Sequence, residues 1–208
     1  LVREIGQQMK NVILSTGMAN MADIEKAIEI LEEEGTSRDD IIVLHCTSEY
    51  PAPIDDINLL AMKTISKTFK VKVGYSDHTD GIVVAISAVA LGAVLIEKHL
   101  TLDNNMEGPD HKASLEPDRF KEMVEEIRKV ERALGDGIKR IKNSERKNIK
   151  LVRKSIVASC KIYKGEKFTD DNLTTKRPEN GLSSIFWDKL IGREAFKDFE
   201  KDEVIKLF

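Results

Sequence analysis

Residues 71–78 read VKVGYSDH, a short apolar run that closes with hydroxyl, carboxylate and imidazole side chains. A run of this length between polar segments is typical of a buried strand in a parallel sheet. Three further runs share this character, and they are Val12–Ser15, Ile41–Cys46 and Val94–Glu97. The sequence therefore predicts four strands of one parallel sheet, the third of them over 71–76.

Segments with helical spacing of apolar residues follow each of the four strands. Apolar residues recur at 24, 27, 28 and 31, then at 57, 60, 61 and 65, and they fill 82–91 almost completely. The last segment starts at Pro117, which suits a first helical position, and ends before Gly135. Repeated strand–helix units predict a parallel sheet with right-handed crossovers, either as an open doubly wound sheet or as part of a barrel.

Polar side chains gather just after the strands, which is where a (βα)8 TIM barrel carries its catalytic residues. The segments are Ser15–Gly17, His45–Ser48, Ser76–His78 and Glu97–His99. No Gly-rich loop of the G-x-G-x-x-G or Walker type occurs, which argues against a nucleotide site. A closed barrel needs eight units and about 250 residues. We therefore expect residues 1–136 to be the last four βα units of a TIM barrel, with the first half absent from this chain.

The composition changes after residue 136. Residues 137–153 hold many basic side chains against the single acid Glu145, which predicts a linker that is either a solvated connector or a positive collar near an anionic site. Residues 154–208 contain short β-prone pieces separated by glycine-containing turns, and they are Ser155–Ala158, Leu173–Lys176 and Val204–Leu207. We expect a small, mostly β domain there.

Composition also excludes several classes of protein. The 208 residues hold 33 Lys and Arg against 36 Asp and Glu, a net charge of −3, which gives no electrostatic basis for a nucleic-acid partner. No apolar run approaches the roughly 18 residues that span a bilayer, and no secretory signal opens the chain. We therefore expect no membrane partner and a cytoplasmic location, with Cys46 and Cys160 as reduced thiols.

His78 and His99 lie where two successive strands end, so we expect their imidazoles to face the same barrel mouth. Imidazoles on adjacent strands can share a divalent metal, whereas the alternative is a hydrogen-bonded histidine at a strand end. Two protein ligands leave room for water and substrate oxygen, which favours Mn²⁺ or Mg²⁺ over a closed structural Zn²⁺ site. Nearby, Asp77 is expected to orient a histidine or cap the next helix. Glu97 and Lys98 are expected to form a strand-end ion pair.

Other polar residues also follow the strands. Ser15 and Ser76 are expected either to hold an anion at a following helix N-terminus or simply to cap that helix. His45 lies within an apolar strand and is expected to be a hydrogen-bonded core residue. Tyr50 lies in a proline-rich, extended loop that could line a pocket. Asp110 lies in a turn-rich loop, from which it either reaches a polyol substrate or makes only a turn.

Seven short motifs of the chain form a specific set. They are STGM at 15–18, HCTSEYP at 45–51, GYSDHT at 74–79, EKHLTL at 97–102, GPDHKASLEP at 108–117, KSIVA at 154–158 and KRPENG at 176–181. Together they resemble the sialic acid synthase family, the phosphoenolpyruvate-dependent synthases of N-acetylneuraminate and of its relatives legionaminate and pseudaminate. The last two motifs resemble the C-terminal antifreeze-like, or SAF, domain of that family.

The resemblance implies a TIM barrel joined by the linker 137–153 to a SAF domain at 154–208, in a domain-swapped homodimer. It implies that His78 and His99 bind the metal. The implied substrate-binding residues are Ser15, Ser48, Ser76, Tyr50, Asp110 and Arg177.

Within this set the resemblance implies distinct roles. Ser15 and Ser76 would contact phosphoenolpyruvate, whereas Tyr50 and Asp110 would act in catalysis beside the sugar. Arg177 would reach the sugar from the partner subunit. Ser48 stands where some members carry Asn, and this difference would alter the sugar accepted.

The implied reaction joins phosphoenolpyruvate to N-acetylmannosamine or a related N-acetylated hexosamine, giving N-acetylneuraminate or a related nonulosonate and phosphate. The metal would polarise the sugar aldehyde. Synthesis of N,N'-diacetyllegionaminate or pseudaminate is the alternative reaction. The essential Glu of the family would precede Leu1, so the 208 residues alone are expected to be inactive. A non-catalytic fragment that binds a sugar or partner, and a metal hydrolase, are the alternatives from other classes.

Overall fold

The computed structural model describes residues 1–206, and its first unit, residues 1–137, is built on a four-stranded sheet. The strands are β1 (Val12–Ser15), β2 (Ile41–Cys46), β3 (Lys72–Asp77) and β4 (Ile96–Lys98), and they lie in that order. All neighbouring pairs are parallel, as the sequence predicts. Four consecutive parallel strands form a half-barrel.

The helices of residues 1–137 are α1 (Val2–Gly6), α2 (Met21–Glu33), α3 (Leu60–Phe69), α4 (Val83–Ala90) and α5 (Pro117–Leu134). The side-chain oxygen of Asn20 accepts the backbone N–H groups of Ala22 and Asp23, and so begins α2. Pro117 occupies the first turn of α5, and Gly135, with a φ of 64°, follows its last residue. Helices α2 to α5 lie where the apolar spacing predicts them.

Apolar side chains fix the sheet against its helices. Fully buried members between the sheet, α2 and α3 include Ile28, Leu31, Ile41, Met62 and Tyr75. A second apolar cluster joins α4 to α5 through Ala85, Met123 and Ile127. This packing holds the strand ends, which carry the polar motifs, in defined positions.

The second unit begins at residue 138. It holds α6 (Asn143–Val152), the antiparallel pair β5 (Ser155–Ala158) and β6 (Leu173–Lys176), and α7 (Trp187–Leu190). Its core contains the fully buried side chains of Ile156, Phe168, Phe199 and Ile205. A small domain with an antiparallel sheet is therefore present, as predicted.

The third β-prone piece of this unit, 204–207, is not a strand in its described part. Val204 makes one isolated bridge, to Val157. The backbone of Ile205 bonds on one side to Ile156 and on the other to Leu182, so no continuous two-stranded ladder forms. Leu207, like Phe208, lies outside the described residues.

Within residues 137–153, which the composition predicts to be a linker, positions 143–152 form α6. Glu145, the one acid of the segment, accepts the backbone N–H of Lys142 at 2.8 Å and so begins the helix. Lys and Arg are also good helix formers. Since a helix rises about 1.5 Å per residue, this segment reaches less far than an extended linker.

Two expectations about the chain as a whole can be compared with residues 1–206. None of the helices in that range is both long and apolar enough to cross a membrane. Cys46 is buried and Cys160 is exposed, and both are free thiols.

Candidate functional site

The parallel register of β3 and β4 sorts their polar side chains onto two faces. Ser76 lies opposite Glu97, and Asp77 lies opposite Lys98. Successive side chains of a strand point to opposite faces. Ser76 and Glu97 therefore share one face of the sheet, and Asp77 and Lys98 share the other.

His78 and His99 come together where these two strands end. Their ring centroids lie 5.6 Å apart, with the rings edge to face. His78 is 8% exposed, whereas the side chain of His99 is 33% exposed. The two residues thus present one shielded and one accessible imidazole at the same place.

The hydrogen bonds of His78 determine which ring nitrogen carries the proton. Nδ1 lies 2.6 Å from the carbonyl oxygen of Thr47, and a carbonyl only accepts, so Nδ1 is the donor. The lone pair of the neutral imidazole is then on Nε2, where the Tyr50 hydroxyl donates at 3.0 Å. A carbonyl that holds Nδ1–H in this way orients a histidine for metal binding through Nε2.

Tyr50 covers both imidazoles. Its ring stacks on His78 with centroids 4.0 Å apart, and its centroid lies 5.0 Å from that of His99. Burial, followed by the nearby Cys46, Asp110 and Glu97, raises the pKa of the Tyr50 hydroxyl. Tyr50 therefore stays protonated and can donate a hydrogen bond throughout the neutral pH range.

The two serines at the strand ends cap no helix. Ser76 Oγ donates to Glu97 Oε1 at 2.6 Å and lies 3.2 Å from His78 Nε2. Ser15 Oγ lies 3.2 Å from the Sγ atom of Cys46. Helix α2 is capped by another residue, and α4 begins without a side-chain cap. The capping alternative for both serines is therefore wrong.

Glu97 and Lys98 do not form the predicted ion pair, because adjacent residues of a strand face opposite sides. Lys98 pairs instead with Asp77, with Nζ 3.1 Å from Oδ2 and both side chains fully buried. Asp77 Oδ1 also accepts the backbone N–H and the hydroxyl of Thr79, at 2.9 and 2.7 Å. Asp77 thus closes a turn around His78 and does not cap α4.

Asp110 approaches the imidazole pair from a well-supported loop. Its Oδ2 lies 3.9 Å from Nδ1 of His99. The side-chain amide of Asn104 donates to the carbonyls of His111 and Ser114 at 2.6 and 2.8 Å, and the Ser114 hydroxyl donates to the Asp110 carbonyl. Sequence reasoning missed Asn104, although an Asn pair in a turn-rich segment is a signal of side-chain hydrogen bonds to backbone.

Three other predicted residues have separate surroundings. His45 Nε2 donates to the carbonyl of Ile57 at 2.7 Å, as expected of a core histidine. Ser48 is exposed, and a Cβ added to Gly17 would lie 2.0 Å from its Oγ, so the loops after β1 and β2 nearly touch. Arg177 belongs to the second unit, where its Nε donates at 2.8 Å to the carbonyl of Val152, the last residue of α6.

The two imidazoles suit a cation site that is partly open to water or substrate, and not a site in which protein ligands fill every position. Within residues 1–206, no three His, Cys, Asp or Glu side chains are grouped so that they could hold a metal ion. The imidazole pair offers two nitrogens, with Nε2 of His78 already oriented. Oxygen ligands from water or substrate would fill the other positions, which fits Mn²⁺ or Mg²⁺.

Protein-family models match both units of the chain. The model described as the NeuB family matches residues 1–139, and the model of the SAF domain matches residues 153–207.

Individual relatives match over nearly the same length. The chain is 52% identical to the N,N'-diacetyllegionaminic acid synthase of Campylobacter jejuni, over 99% of this chain and 61% of that protein. It is 42% identical to a pseudaminic acid synthase of the same species, over 99% of this chain and 59% of that protein. The crystal structure of the N-acetylneuraminic acid synthetase of Leptospira borgpetersenii matches with 36% identity and a TM-score of 0.64, over 71% of this chain and 51% of that one. The chain thus spans less than two thirds of the length of these relatives.

Proposed function

The chain belongs to the NeuB family and carries a SAF domain, and on this premise we propose that the protein is a nonulosonate synthase. It joins phosphoenolpyruvate to an open-chain 2-acetamido sugar and releases phosphate. The observation that carries the proposal is the imidazole pair His78–His99 against the ring of Tyr50, at the carboxyl end of parallel strands. In the intact protein these strands are part of a (βα)8 TIM barrel.

The proposed reaction has a bond-forming step and a hydrolytic step. The methylene carbon of phosphoenolpyruvate attacks the aldehyde carbon of the sugar, and the aldehyde oxygen takes up a proton. Water then adds to the resulting oxocarbenium carbon and loses a proton. The new hydroxyl loses its own proton and becomes a ketone as the carbon–oxygen bond to phosphate breaks and phosphate leaves. The site must therefore hold a carbonyl oxygen, a phosphate group and sugar hydroxyls side by side.

His78 and His99 are the residues that would hold Mn²⁺ or Mg²⁺, His78 through Nε2. When bound, such a cation supplies Lewis-acid polarisation of the aldehyde oxygen. The Thr47 carbonyl keeps the proton of His78 on Nδ1 and so keeps Nε2 available. The Tyr50 hydroxyl donates to Nε2 in the structure. With a cation on Nε2, this hydroxyl would be free to donate to the sugar instead.

The remaining residues divide between the two substrates. Ser15 and Ser76 offer hydroxyl groups at strand ends to the oxygens of phosphoenolpyruvate. Asp110 accepts a hydrogen bond from a sugar hydroxyl, because its carboxylate is half-exposed and close to His99. Ser48, on the exposed loop beside Gly17, contacts the sugar at the edge of the site.

Arg177 completes the sugar site from the partner subunit of a homodimer. Its side chain is exposed, and its Nε is held by the carbonyl at the end of α6. A guanidinium anchored at Nε presents its terminal N–H groups in a fixed plane, which suits a pair of hydroxyl or carbonyl oxygens. Helix α6 makes the support of Arg177 more rigid than an extended linker would.

The sugar is N-acetylmannosamine or a close relative, and a specific observation favours a second candidate. The 52% identity to an N,N'-diacetyllegionaminic acid synthase favours a sugar that carries two acetamido groups. Ser48 is smaller than the Asn of some family members, which leaves room for a larger substituent.

The proposed function is tested by phosphate release from phosphoenolpyruvate by the intact protein, with Mn²⁺ and either N-acetylmannosamine or its diacetamido counterpart. We expect release that depends on the sugar, and we expect the 208 residues alone to be silent. Release that continues without any sugar would indicate a hydrolase. No release from the intact protein with either sugar would contradict the proposal.

A further inference from the structure

We propose that the buried ion pair Asp77–Lys98 positions His78 and His99 for the metal by locking the ends of β3 and β4 to each other. The inference rests on the metal site of the proposed function. It assigns a role to two residues on the opposite face of the sheet, whose side chains point away from the imidazoles.

The charges of the pair are satisfied within one buried cluster. Lys98 Nζ lies 3.1 Å from Asp77 Oδ2 and also donates to the carbonyl of Thr79. Asp77 Oδ1 accepts the N–H and the hydroxyl of Thr79. Both charged side chains are 0% exposed. A polar network that is satisfied and shielded from water is rigid, because loss of any one bond would leave a buried group unpaired.

The cluster encloses the backbone of His78. Asp77 and Thr79 flank this histidine in sequence, so the bonds between them close a turn around it. The carbonyl of His78 accepts the N–H of Ala52 at 2.9 Å, and its Nδ1 donates to Thr47. With the turn, the carbonyl and Nδ1 all held, Nε2 has one direction in which to point.

Lys98 carries the same constraint to the second imidazole. Its backbone lies in register with Asp77 on the neighbouring strand, and its ammonium group is bonded to the turn of His78. His99 is the next residue, and its carbonyl accepts the N–H of Leu115 at 2.9 Å. The 5.6 Å between the two ring centroids is therefore set by the protein before any cation binds.

Stability alone does not explain why two charges are buried here. Desolvation often outweighs the attraction within a buried ion pair, and well-packed apolar replacements are often equally stable. Apolar side chains would fill the same space but would not bond to Thr79. What they would lose is the connection between the turn of His78 and the strand of His99.

The test is direct Mn²⁺ binding to the intact protein without substrate, measured by electron paramagnetic resonance. The double variant Asp77→Asn with Lys98→Met removes both charges at similar volume. Thr79→Val removes one hydroxyl donor and keeps the ion pair, and it serves as a second, milder variant. Leu31→Ala, which truncates a buried core residue of α2, is the control for lost stability.

We expect Mn²⁺ affinity to fall about 10–100-fold in the double variant, as when other groups that orient metal ligands are changed. The fall should be smaller in Thr79→Val and absent in Leu31→Ala. Unchanged affinity in whichever of the two test variants folds overturns the inference. If the unaltered protein binds no Mn²⁺, or if His78→Ala binds it equally well, the metal site of the proposed function fails instead. The two failures are therefore distinguishable.

Discussion

The hydroxyl of Tyr50 lies 3.0 Å from Nε2 of His78, and the two rings stack with centroids 4.0 Å apart. Because Nδ1 of His78 donates to the Thr47 carbonyl, the lone pair that accepts the Tyr50 hydroxyl is the same one that would bind a cation. The hydrogen bond and the metal therefore compete for one atom. A cation on Nε2 would therefore leave the Tyr50 hydroxyl available to the substrate.

Because of this competition, Tyr50→Phe should have opposite effects on Mn²⁺ affinity and on turnover with the sugar. The variant keeps the stacked ring and loses one hydrogen bond of about 1 kcal/mol, so Mn²⁺ affinity should rise about fivefold while turnover with the sugar falls. Metal titration and steady-state kinetics measure the two effects separately. Weaker Mn²⁺ binding in Tyr50→Phe would show that the hydroxyl supports the metal and does not compete with it.

Replacing either imidazole of the pair should abolish Mn²⁺ binding and activity. His78→Ala and His99→Ala each remove one of two protein ligands, and an open site with one nitrogen holds a cation poorly. His45→Gln is the matched control, because His45 bonds to the carbonyl of Ile57 and lies within β2. Retained activity in His78→Ala, or loss of Mn²⁺ binding in His45→Gln, would contradict the assignment.

Asn104 should affect binding of the sugar, because it supports the loop that carries Asp110. Asn104→Ala removes two hydrogen bonds to loop carbonyls, each worth about 1 kcal/mol, so we expect KM for the sugar to rise about 5–30-fold. KM for phosphoenolpyruvate should not change. Asn105→Ala is the control, since the Asn105 amide bonds only to exposed Asp103 in the described residues. Equal effects of the two variants on KM for the sugar would show that Asn104 does not position the loop of Asp110.

Tyr75→Phe should stabilise the protein. The Tyr75 hydroxyl is buried and has no hydrogen-bond partner among residues 1–206, and an unsatisfied buried hydroxyl costs about 1–3 kcal/mol. Thermal unfolding should therefore shift upward in the variant. A downward shift would mean that the hydroxyl is satisfied in the intact protein.

Tyr75 should also make the stability of the folded protein depend on pH in the alkaline range. Burial raises the pKa of Tyr75, so above pH of about 10 the unfolded chain ionises this group while the folded chain keeps it neutral. The free energy of unfolding therefore falls as pH rises past that value, because only the unfolded chain releases the proton. The advantage of Tyr75→Phe over the unaltered protein should grow above pH of about 10, and an advantage that shrinks there would contradict this reasoning.

Arg177 should act across the proposed homodimer. Mixing full-length His78→Ala with full-length Arg177→Ala, each nearly inactive, allows heterodimers in which one site contains both an intact metal pair and an intact Arg177. We expect activity to return after subunit exchange. If mixing restores nothing, Arg177 acts within its own chain or has no part in the site.

Much of this arrangement follows from local sequence patterns. The apolar runs locate β1 to β4, and strand ends in a parallel sheet meet at one edge, so the meeting of His78 and His99 could be predicted. The Asp77–Lys98 pair could not, because it depends on the register between two strands, which no local pattern specifies. The nearest acid in sequence, Glu97, was the obvious partner for Lys98, yet strand alternation places the two on opposite faces.

Helix α6 and Asn104 were missed for different reasons. A run of basic residues without apolar spacing indicates a solvated segment, but a single Glu145 bonded to the backbone N–H of Lys142 is enough to begin a helix. Asn104 acts through bonds to carbonyls seven and ten residues away. Such contacts depend on the path of the loop, which composition does not specify.

Above all, we propose that the protein forms a carbon–carbon bond between phosphoenolpyruvate and a 2-acetamido sugar. The most direct measurement uses phosphoenolpyruvate with carbon-13 in its methylene group and oxygen-18 in its bridging oxygen, incubated with the intact protein, Mn²⁺ and sugar. We predict that nuclear magnetic resonance will find the carbon label bonded to a sugar carbon, and that mass spectrometry will find the oxygen label in phosphate. Carbon label in free pyruvate, with no label in any sugar acid, would contradict the account.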